Sequence, residues 1–242
     1  MAHAADYGDH FADIYDDFYP GLDQVEPIVD GVRGLAEGGQ VLELGVGTGR
    51  VALPLVEAGV AISGMDASQA MLDRLASKPG ADAIPTFLGD FGATPLGGPY
   101  SLVFVAFNTF FGLLEQEEQV GCFRNVAAAL QPGGRFAIEA FVPDLARFDR
   151  GQRTSLGKLE KDWLFIDVAR HDQATQRVSS AHVVVKDGGT RILPVEIRYA
   201  WPSELDLMAQ LTGFEVEHRW EWWDGTPFTS TSPRHVSVYR RA

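Results

Sequence analysis

The 242-residue chain contains one cysteine, Cys122, so no internal disulfide can form and we expect a protein of the reducing cytoplasm. The first twenty residues have no Lys or Arg and no apolar segment, which argues against a signal peptide. The longest uninterrupted apolar run, 102–107, is far shorter than the roughly 20 residues that a membrane-spanning helix needs. The sequence therefore predicts no membrane partner.

Basic residues are also scarce. Lys and Arg number 20 against 33 Asp and Glu, which gives a formal net charge of −13. Proteins that bind nucleic acid through its phosphates need clustered cations, so this balance argues against an RNA or DNA partner. The chain has no His-x-x-x-His pair and no cysteine cluster, so we expect no metal site. Its apolar fraction of 45% is enough for a folded core.

Helices and short buried strands alternate through the first 140 residues. Amphipathic spacing predicts helices at 9–18, 23–36, 50–58, 69–76 and 115–130. Apolar runs bounded by turn residues predict strands at 41–44, 61–65, 86–88, 102–107 and 135–141. This alternation is typical of a Rossmann-like, doubly wound α/β fold with a mostly parallel sheet.

The pattern changes after residue 150, where strand signals follow one another without helices. Runs at 163–169, 177–185 and 191–199 are joined by turn residues and predict an antiparallel insertion after the fifth strand. A helix at 204–211 and strands at 215–223 and 235–240 then complete a predicted seven-stranded sheet.

The most informative stretch is the turn after the first strand, with glycines at 45, 47 and 49. Glycines let the backbone adopt positive φ and approach a ligand, and the helix that follows begins with unpaired N–H groups. Asp66 follows the second strand, 21 residues after Gly45, where a carboxylate can accept both hydroxyls of a ribose. Together these features predict a nucleoside-containing ligand.

The glycine spacing differs from a dinucleotide fingerprint, because the third glycine comes one position early and Arg50 fills its slot. The stretch Glu43–Gly49, ELGVGTG, instead resembles motif I of the class I S-adenosylmethionine-dependent methyltransferases. Segments that resemble later motifs of that family follow at 64–68, 89–91, 102–108 and 130–134. The resemblance covers about residues 41–141 and implies S-adenosylmethionine as the cofactor.

The resemblance also implies which residues contact the cofactor. Glu43 would order the glycine loop that holds the methionyl part, Asp66 would bind the ribose, and Asp90 would accept from the adenine amino group. The full implied set is Tyr15, Tyr19, Glu43, Gly45, Gly47, Gly49, Asp66, Ala67, Met71, Asp90, Phe91 and Asn108. Tyr15 and Tyr19 would close over the methionyl end, and the alternative is that they pack as an amphipathic stripe.

On this interpretation the chain is a single domain with four parts. These are an N-terminal helical lid at 1–36, a cofactor-binding half at 37–142, the antiparallel insertion at 150–200, and a C-terminal helix and hairpin at 201–242. We expect a monomer or a homodimer.

Aromatic residues cluster where the predicted strands end, on the side that would receive an acceptor. They are Phe110, Phe111, Phe141, Trp222 and Trp223. This clustering predicts an acceptor with a flat or apolar surface. Three residues are candidate catalytic groups, namely Glu139 near the end of the fifth strand, His182 in the insertion, and Tyr15. The alternatives are that Glu139 orders a loop and that His182 is an ordinary sheet histidine.

The sequence therefore predicts transfer of a methyl group to an N, S or O atom of a small secondary-metabolite acceptor. Similar enzymes methylate amino sugars and antibiotic scaffolds, which implies an antibiotic-biosynthesis setting. The alternatives are a methyltransferase with a macromolecular acceptor, an NAD-dependent dehydrogenase, and a nucleoside-binding module without catalysis.

Overall fold

Two β-sheets form the framework of the protein, whose computed structural model describes residues 4–18, 25–186 and 189–242. The strands are β1 (Val41–Leu44), β2 (Ile62–Asp66), β3 (Thr86–Leu88), β4 (Tyr100–Val105), β5 (Leu130–Phe141), β6 (Gln152–Leu159), β7 (Trp163–Asp172), β8 (Arg177–Lys186), β9 (Gly189–Arg198), β10 (Phe214–Trp220) and β11 (Arg234–Arg241). The central sheet has the order β10-β11-β5-β4-β1-β2-β3. Strands β1 to β5 run parallel, whereas β11 is antiparallel to both of its neighbours. The predicted fold class is confirmed.

Helices cover both faces of the central sheet. They are α1 (Ala4–Phe11), α2 (Tyr15–Phe18), α3 (Val25–Ala36), α4 (Ala52–Glu57), α5 (Gln69–Ala76), α6 (Gln116–Ala129) and α7 (Pro202–Leu211). The apolar sides of α6 and α7 pack on one face, and those of α3, α4 and α5 pack on the other. Because both faces are covered, β1 and β4 are buried along their whole length. None of the helices in the described part of the chain is long and apolar enough to cross a membrane.

The strand order reverses between β1 and β4, which are neighbours in the sheet. The loops that leave their carboxyl ends therefore separate to opposite sides and open a crevice. The β1 loop runs to α4, and the β4 loop leads into a short 3₁₀ helix, Thr109–Gly112. This edge of the sheet is where an α/β fold places its ligand.

The insertion is a separate antiparallel sheet with the order β6-β7-β8-β9. The sequence predicted three of its strands and missed β6. Polar residues dominate β6, which is an edge strand, and its pairing with β7 is irregular between Leu156 and Lys158. Gly157 lies in that irregularity, where a Cβ atom would lie 2.1 Å from the Phe165 ring.

One face of the insertion sheet spans the crevice, and we call this face the roof. Val184, toward one end of β8, and Leu193, in the middle of β9, lie on the roof and pack with Phe11 of α1 and Met71 of α5. At the other end, Val178 and Ile197 pack against the core beneath α6 and the 3₁₀ helix. The central rows of the roof therefore lie over the carboxyl ends of the parallel strands.

The N-terminal helices α1 and α2 close the remaining side of the crevice, and we call these two helices and the turn between them the lid. The predicted helix 9–18 is interrupted by a turn at residues 12–14, so α1 and α2 are separate. Arg74 of α5 donates hydrogen bonds to the carbonyls of Ala12 and Asp13 in that turn (3.0 and 3.1 Å). Arg191 of β9 pairs with the Asp13 carboxylate at 2.8 Å. The turn is thus attached both to the central domain and to the roof.

Candidate cofactor and acceptor site

The glycine loop after β1 has the backbone geometry that its sequence predicted. Gly45 has φ of +72° and Gly49 has φ of +83°, in the left-handed region that disfavours other residues. A Cβ atom at Gly45 would lie 2.4 Å from Thr109 Cγ2, and one at Gly49 would lie 2.4 Å from Leu75 Cδ1. The loop is therefore wedged between the turn after β4 and helix α5, with no room for a side chain at Gly45 or Gly49.

Asp66, at the end of β2, is hydrogen-bonded to the glycine loop. Its Oδ2 accepts from the Gly47 N–H at 2.8 Å, and its Oδ1 accepts from the Ser68 N–H at 2.9 Å. Burial raises the pKa of Asp66, and these N–H donors oppose that rise. Each oxygen keeps further acceptor capacity for a hydroxyl group. Ala67 follows directly, and Met71 is buried on α5 beside Phe11.

Glu43 lies beneath the same loop, with only 4% of its surface exposed. Its Oε2 has no hydrogen-bond partner within the described residues. Burial and the negative charge of Asp66 raise the pKa of Glu43 well above its ordinary value. An unpartnered buried carboxylate oxygen beside a second acid suits a cationic ligand. The residues present therefore fit S-adenosylmethionine, which carries an ammonium and a sulfonium.

At the predicted adenine end, Asp90 follows β3. Its Oδ1 accepts from the Gly92 N–H at 2.8 Å, and the side chain is half-buried. Phe91 is 95% buried in the core beneath α6. Asp90 thus lies at the expected strand end, whereas Phe91 mainly packs inward.

The turn after β4 has two consecutive residues in the left-handed region, Phe107 (φ +55°) and Asn108 (φ +65°). For residues other than glycine this conformation costs on the order of 1 kcal/mol or more. Because of it, β4 ends at Val105 and not at 107 as predicted. Asn108 Oδ1 accepts from the Phe141 N–H at 2.7 Å. The turn contacts the glycine loop through Thr109 and lies at the predicted sulfonium end.

Glu139 of β5 is placed under this turn, with 6% of its surface exposed. Its Oε2 accepts from Trp223 Nε1 at 3.0 Å, and the carboxylate also accepts from the Phe107 backbone N–H. Burial raises the pKa of Glu139. The candidate base is therefore enclosed by protein groups and does not border the open crevice.

His182 lies on the central part of the roof, directly across from Asp167 of β7. Their closest atoms, His182 Nδ1 and Asp167 Oδ1, are 3.2 Å apart. Asp167 also forms an ion pair with Arg153 of β6, and both interactions lower the pKa of its carboxyl. The sequence analysis missed Asp167 and Arg153, because only the register of β6, β7 and β8 reveals that they meet His182.

Tyr15 begins α2 and packs against the cluster that joins the lid to the roof. Tyr19 lies outside the described residues. Sequence reasoning also missed Asp16 of α2, which accepts from Thr48 Oγ1 at 2.6 Å and pairs with Lys78 at 2.8 Å. Asp16 thus fastens the lid to the glycine loop itself.

The five aromatic residues that were predicted to contact the acceptor lie in different environments. Phe110 and Phe111 are fully buried under α6, and Trp222 and Trp223 are buried on the opposite face of the sheet. Phe141 alone among the five is partly exposed. Burial of the other four does not support a flat aromatic acceptor surface, because helices on both faces of the sheet cover them.

The roof carries both polar and aromatic side chains, because Trp163 and Phe165 of β7 lie on the same face as Asp167. Ser180 and the Asp167–His182 pair occupy its central rows. Beside it, at the junction of lid and roof, a cavity of about 220 Å³ is lined by Ile14, Asp17, Trp163, Val184, Lys186, Gly189, Thr190 and Arg191. The described residues contain no group of three or more His, Cys, Asp or Glu side chains that could hold a metal ion.

The lid depends on a close approach at Gly8 of α1. A Cβ atom there would lie 2.4 Å from the Cβ of Ser68, which is fully buried. Ser68 Oγ donates to Asp9 Oδ1 at 2.6 Å, so the two elements are held together beside Asp66.

We therefore predict that Gly8→Ala displaces α1 and weakens S-adenosylmethionine binding about tenfold. A hydrogen bond to a charged group, such as that from Ser68 to Asp9, contributes roughly 1.5–3 kcal/mol. Calorimetric titration measures the effect. Gly34→Ala is the matched control, because its helix has open space at that position. An unchanged dissociation constant in Gly8→Ala would show that the lid does not contribute to cofactor binding.

A parallel sheet with a glycine turn, a partly buried acid at the end of its second strand and a lid defines a nucleoside-cofactor-binding α/β protein. Residues 41–134 match a family model described as a methyltransferase domain. The chain is 31% identical over 210 residues to the cypemycin N-terminal methyltransferase of a Streptomyces species, covering 85% of this chain and 84% of that protein.

Solved structures agree with this assignment. The CcbJ methyltransferase from Streptomyces caelestis superposes with a TM-score of 0.92 at 40% identity, covering 99% of each chain. CalS10, an amino pentose methyltransferase from Micromonospora echinaspora, shares the fold at a TM-score of 0.70 and 21% identity, covering 95% of this chain and 97% of that chain. The chain belongs to the S-adenosylmethionine-dependent methyltransferases. It is an enzyme, so the dehydrogenase and the non-catalytic module are excluded as alternatives.

Proposed function

We propose that this enzyme methylates an amine nitrogen of a small molecule of the antibiotic or secondary-metabolite type, in the cytoplasm. The observation that carries the proposal is the Asp167–His182 pair on the roof, in a crevice that is covered on two sides. S-adenosylmethionine, when bound, supplies an electrophilic methyl group. The protein must then hold an amine in its neutral form and in line with that group.

Enclosure of the crevice favours a small acceptor. The lid contacts α5 through Arg74 and the roof through Arg191, so both sides of the crevice are covered. The net charge of −13 disfavours a nucleic acid acceptor.

The roof provides a group that can accept a proton from an amine. Hydrogen bonds from His182 and Arg153 keep the Asp167 carboxyl ionised, since they lower its pKa. An ionised Asp167 orients the His182 ring and stabilises the imidazolium that forms when the ring accepts a proton. This is the arrangement expected for an acceptor that binds as an ammonium and reacts as an amine.

The names of two relatives support an amine over a hydroxyl or a thiol. The relative with 31% identity is named for methylation of the cypemycin N-terminus, and CalS10 is described as an amino pentose methyltransferase. A peptide α-amine is thus a second candidate acceptor, which the first of these names favours. Both candidates share the same reacting atom.

A matched acceptor panel tests the proposal by mass spectrometry. Each scaffold is supplied as an amine, a hydroxyl and a thiol version, and one arm contains short peptides with free and acetylated N-termini. Methylation confined to small amines supports the proposal. Methylation confined to free peptide N-termini assigns the second candidate, and methylation of the hydroxyl or thiol versions alone overturns both.

With an amine acceptor identified in this way, we predict that His182→Gln lowers kcat by about 10²–10⁴-fold, the usual contribution of a general base. Binding of S-adenosylmethionine should be unchanged, because His182 lies on the roof and not in the glycine loop. His218→Gln is the matched control, because His218 stacks on Trp220 in β10, away from the crevice. A fully active His182→Gln variant would exclude His182 as the base and leave Tyr15 as the remaining candidate on the crevice side.

A further inference from the structure

The turn after β4 is held by β5 through several bonds. The Asn108 N–H donates to the Glu139 carbonyl at 3.3 Å, and the Phe141 N–H donates to Asn108 Oδ1 at 2.7 Å. The Glu139 carboxylate accepts from the Phe107 N–H. Two strained residues, Phe107 and Asn108, are thus fixed by groups of Glu139 and Phe141, two positions apart on one strand.

The same turn determines how the glycine loop is packed. Thr109 fills the space that a side chain at Gly45 would occupy. On the other side, the Arg50 guanidinium lies 4.3 Å from the centre of the Phe107 ring. Movement of Phe107 would therefore move both Arg50 and Thr109, which flank the loop.

The Glu139 carboxylate is also held by side chains outside the turn after β4. Trp223, in the loop after β10, donates its indole N–H to Glu139 Oε2, and the positive charges of Arg50 and Arg234 stabilise the carboxylate. Arg234 is itself stacked at 3.6 Å on the Trp222 ring. The buried tryptophans that the sequence predicted at the acceptor thus anchor Glu139.

We propose that Glu139 is a positioning residue for the methyl-bearing end of the cofactor, acting through the Phe107–Asn108 turn. Its carboxylate lies at the centre of a cluster that joins β4, β5, the glycine loop and the loop after β10. The proposal depends on the cofactor site and not on the identity of the acceptor, so it can fail without affecting the proposed function.

A role as the base that takes the acceptor's proton fits this geometry poorly. The side chain is 94% buried, and the protein groups around it donate hydrogen bonds to it. A proton accepted there would compete with the hydrogen bonds from Trp223 and the Phe107 N–H. Glu139 thus lies among buried side chains of the central sheet, whereas His182 lies on the roof.

The test compares binding of S-adenosylmethionine with that of S-adenosylhomocysteine, which lacks the methyl group and the positive charge. Only groups that act at the methyl-bearing end change the ratio of the two dissociation constants. We expect Glu139→Ala to lower the preference for S-adenosylmethionine about tenfold, as for loss of one charged hydrogen-bonding group. Glu139→Gln keeps one accepting oxygen, so its ratio should lie between those of the wild type and the alanine variant.

Thermal unfolding of each variant separates positioning from folding. Glu204→Ala is the control, because Glu204 also accepts several hydrogen bonds, from Gln116, Gln176 and Arg198, but lies on α7 away from the cofactor. Glu204→Ala should lower the melting temperature and leave unchanged the ratio of the dissociation constants for S-adenosylmethionine and S-adenosylhomocysteine. The proposal is overturned if Glu139→Ala behaves like Glu204→Ala. It is also overturned if Glu139→Gln binds both ligands normally but loses turnover and its pH dependence, as a base would.

Discussion

Replacement of Asp66 by alanine is expected to weaken S-adenosylmethionine binding by at least about 100-fold. The carboxylate accepts from the N–H groups of Gly47 and Ser68, and each such charged bond contributes roughly 1.5–3 kcal/mol. Its loss both releases the glycine loop and removes the proposed acceptor for the ribose hydroxyls. Calorimetric titration with S-adenosylmethionine measures the change.

Asp73→Ala is the matched control for this variant, because Asp73 lies on the neighbouring helix, is exposed and contacts Gln69. It should bind the cofactor normally. Normal binding by Asp66→Ala would show that the cofactor is not held through this acid and would remove the main support for the ribose assignment.

The stability of Asp66 variants should depend on pH in a defined direction. Burial raises the pKa of Asp66 in the folded protein above that of the unfolded chain, so the folded state binds the proton more tightly. The free energy of unfolding therefore falls as pH rises above the unfolded value of about 4 and through the higher folded pKa. Asp66→Asn removes this contribution, so its stability should fall less steeply over that range. If Asp66→Asn loses S-adenosylmethionine binding without a loss of stability, Asp66 is identified as a functional residue.

Gly45→Ala is expected to have the second largest effect, with loss of cofactor binding of about 100-fold and a stability loss of about 1–3 kcal/mol. The residue has φ of +72°, and the added Cβ would lie 2.4 Å from Thr109 Cγ2. Either the loop or the turn after β4 must move. Thermal unfolding and calorimetric titration separate the two effects.

Backbone strain and the contact with Thr109 are the two causes of the expected loss in Gly45→Ala, and two further variants distinguish them. Gly59→Ala has the same left-handed strain, with φ of +80°, but open space around it, so it should lose stability and keep binding. Thr109→Ser removes the methyl group from the contact, so in combination with Gly45→Ala it should restore part of the binding. Equal binding loss in Gly45→Ala and in the double variant would show that the contact with Thr109 is not the cause.

The sequence was most informative where the signal is local. A short apolar strand, alternating glycines and an acid after the next strand predict a nucleoside-binding turn, because each of these features shapes the backbone at its own position. Gly45, Gly49 and Asp66 all lie where this reasoning predicts. The resemblance to the methyltransferases rested on the same residues, and the family membership is confirmed.

Features that depend on distant pairing were less predictable. The strand β6 is a polar edge strand without the alternation that marks the others, and so it was missed. The Asp167–His182 pair depends on the register between two strands, which single-sequence patterns do not fix. The strand predicted at 215–223 ends at Trp220, so Trp222 and Trp223 lie in the loop after it. They turn under the sheet because this loop packs back against α3 and Phe104.

The most direct test of the account is transfer of an isotope-labelled methyl group from S-adenosylmethionine to a small amine by the purified enzyme, followed by fragmentation of the product. The account predicts that the product gains one labelled methyl group on its nitrogen, and that His182→Gln slows this gain while His218→Gln does not. A label found on oxygen, sulfur or carbon of an acceptor whose amine stays unmodified would contradict it.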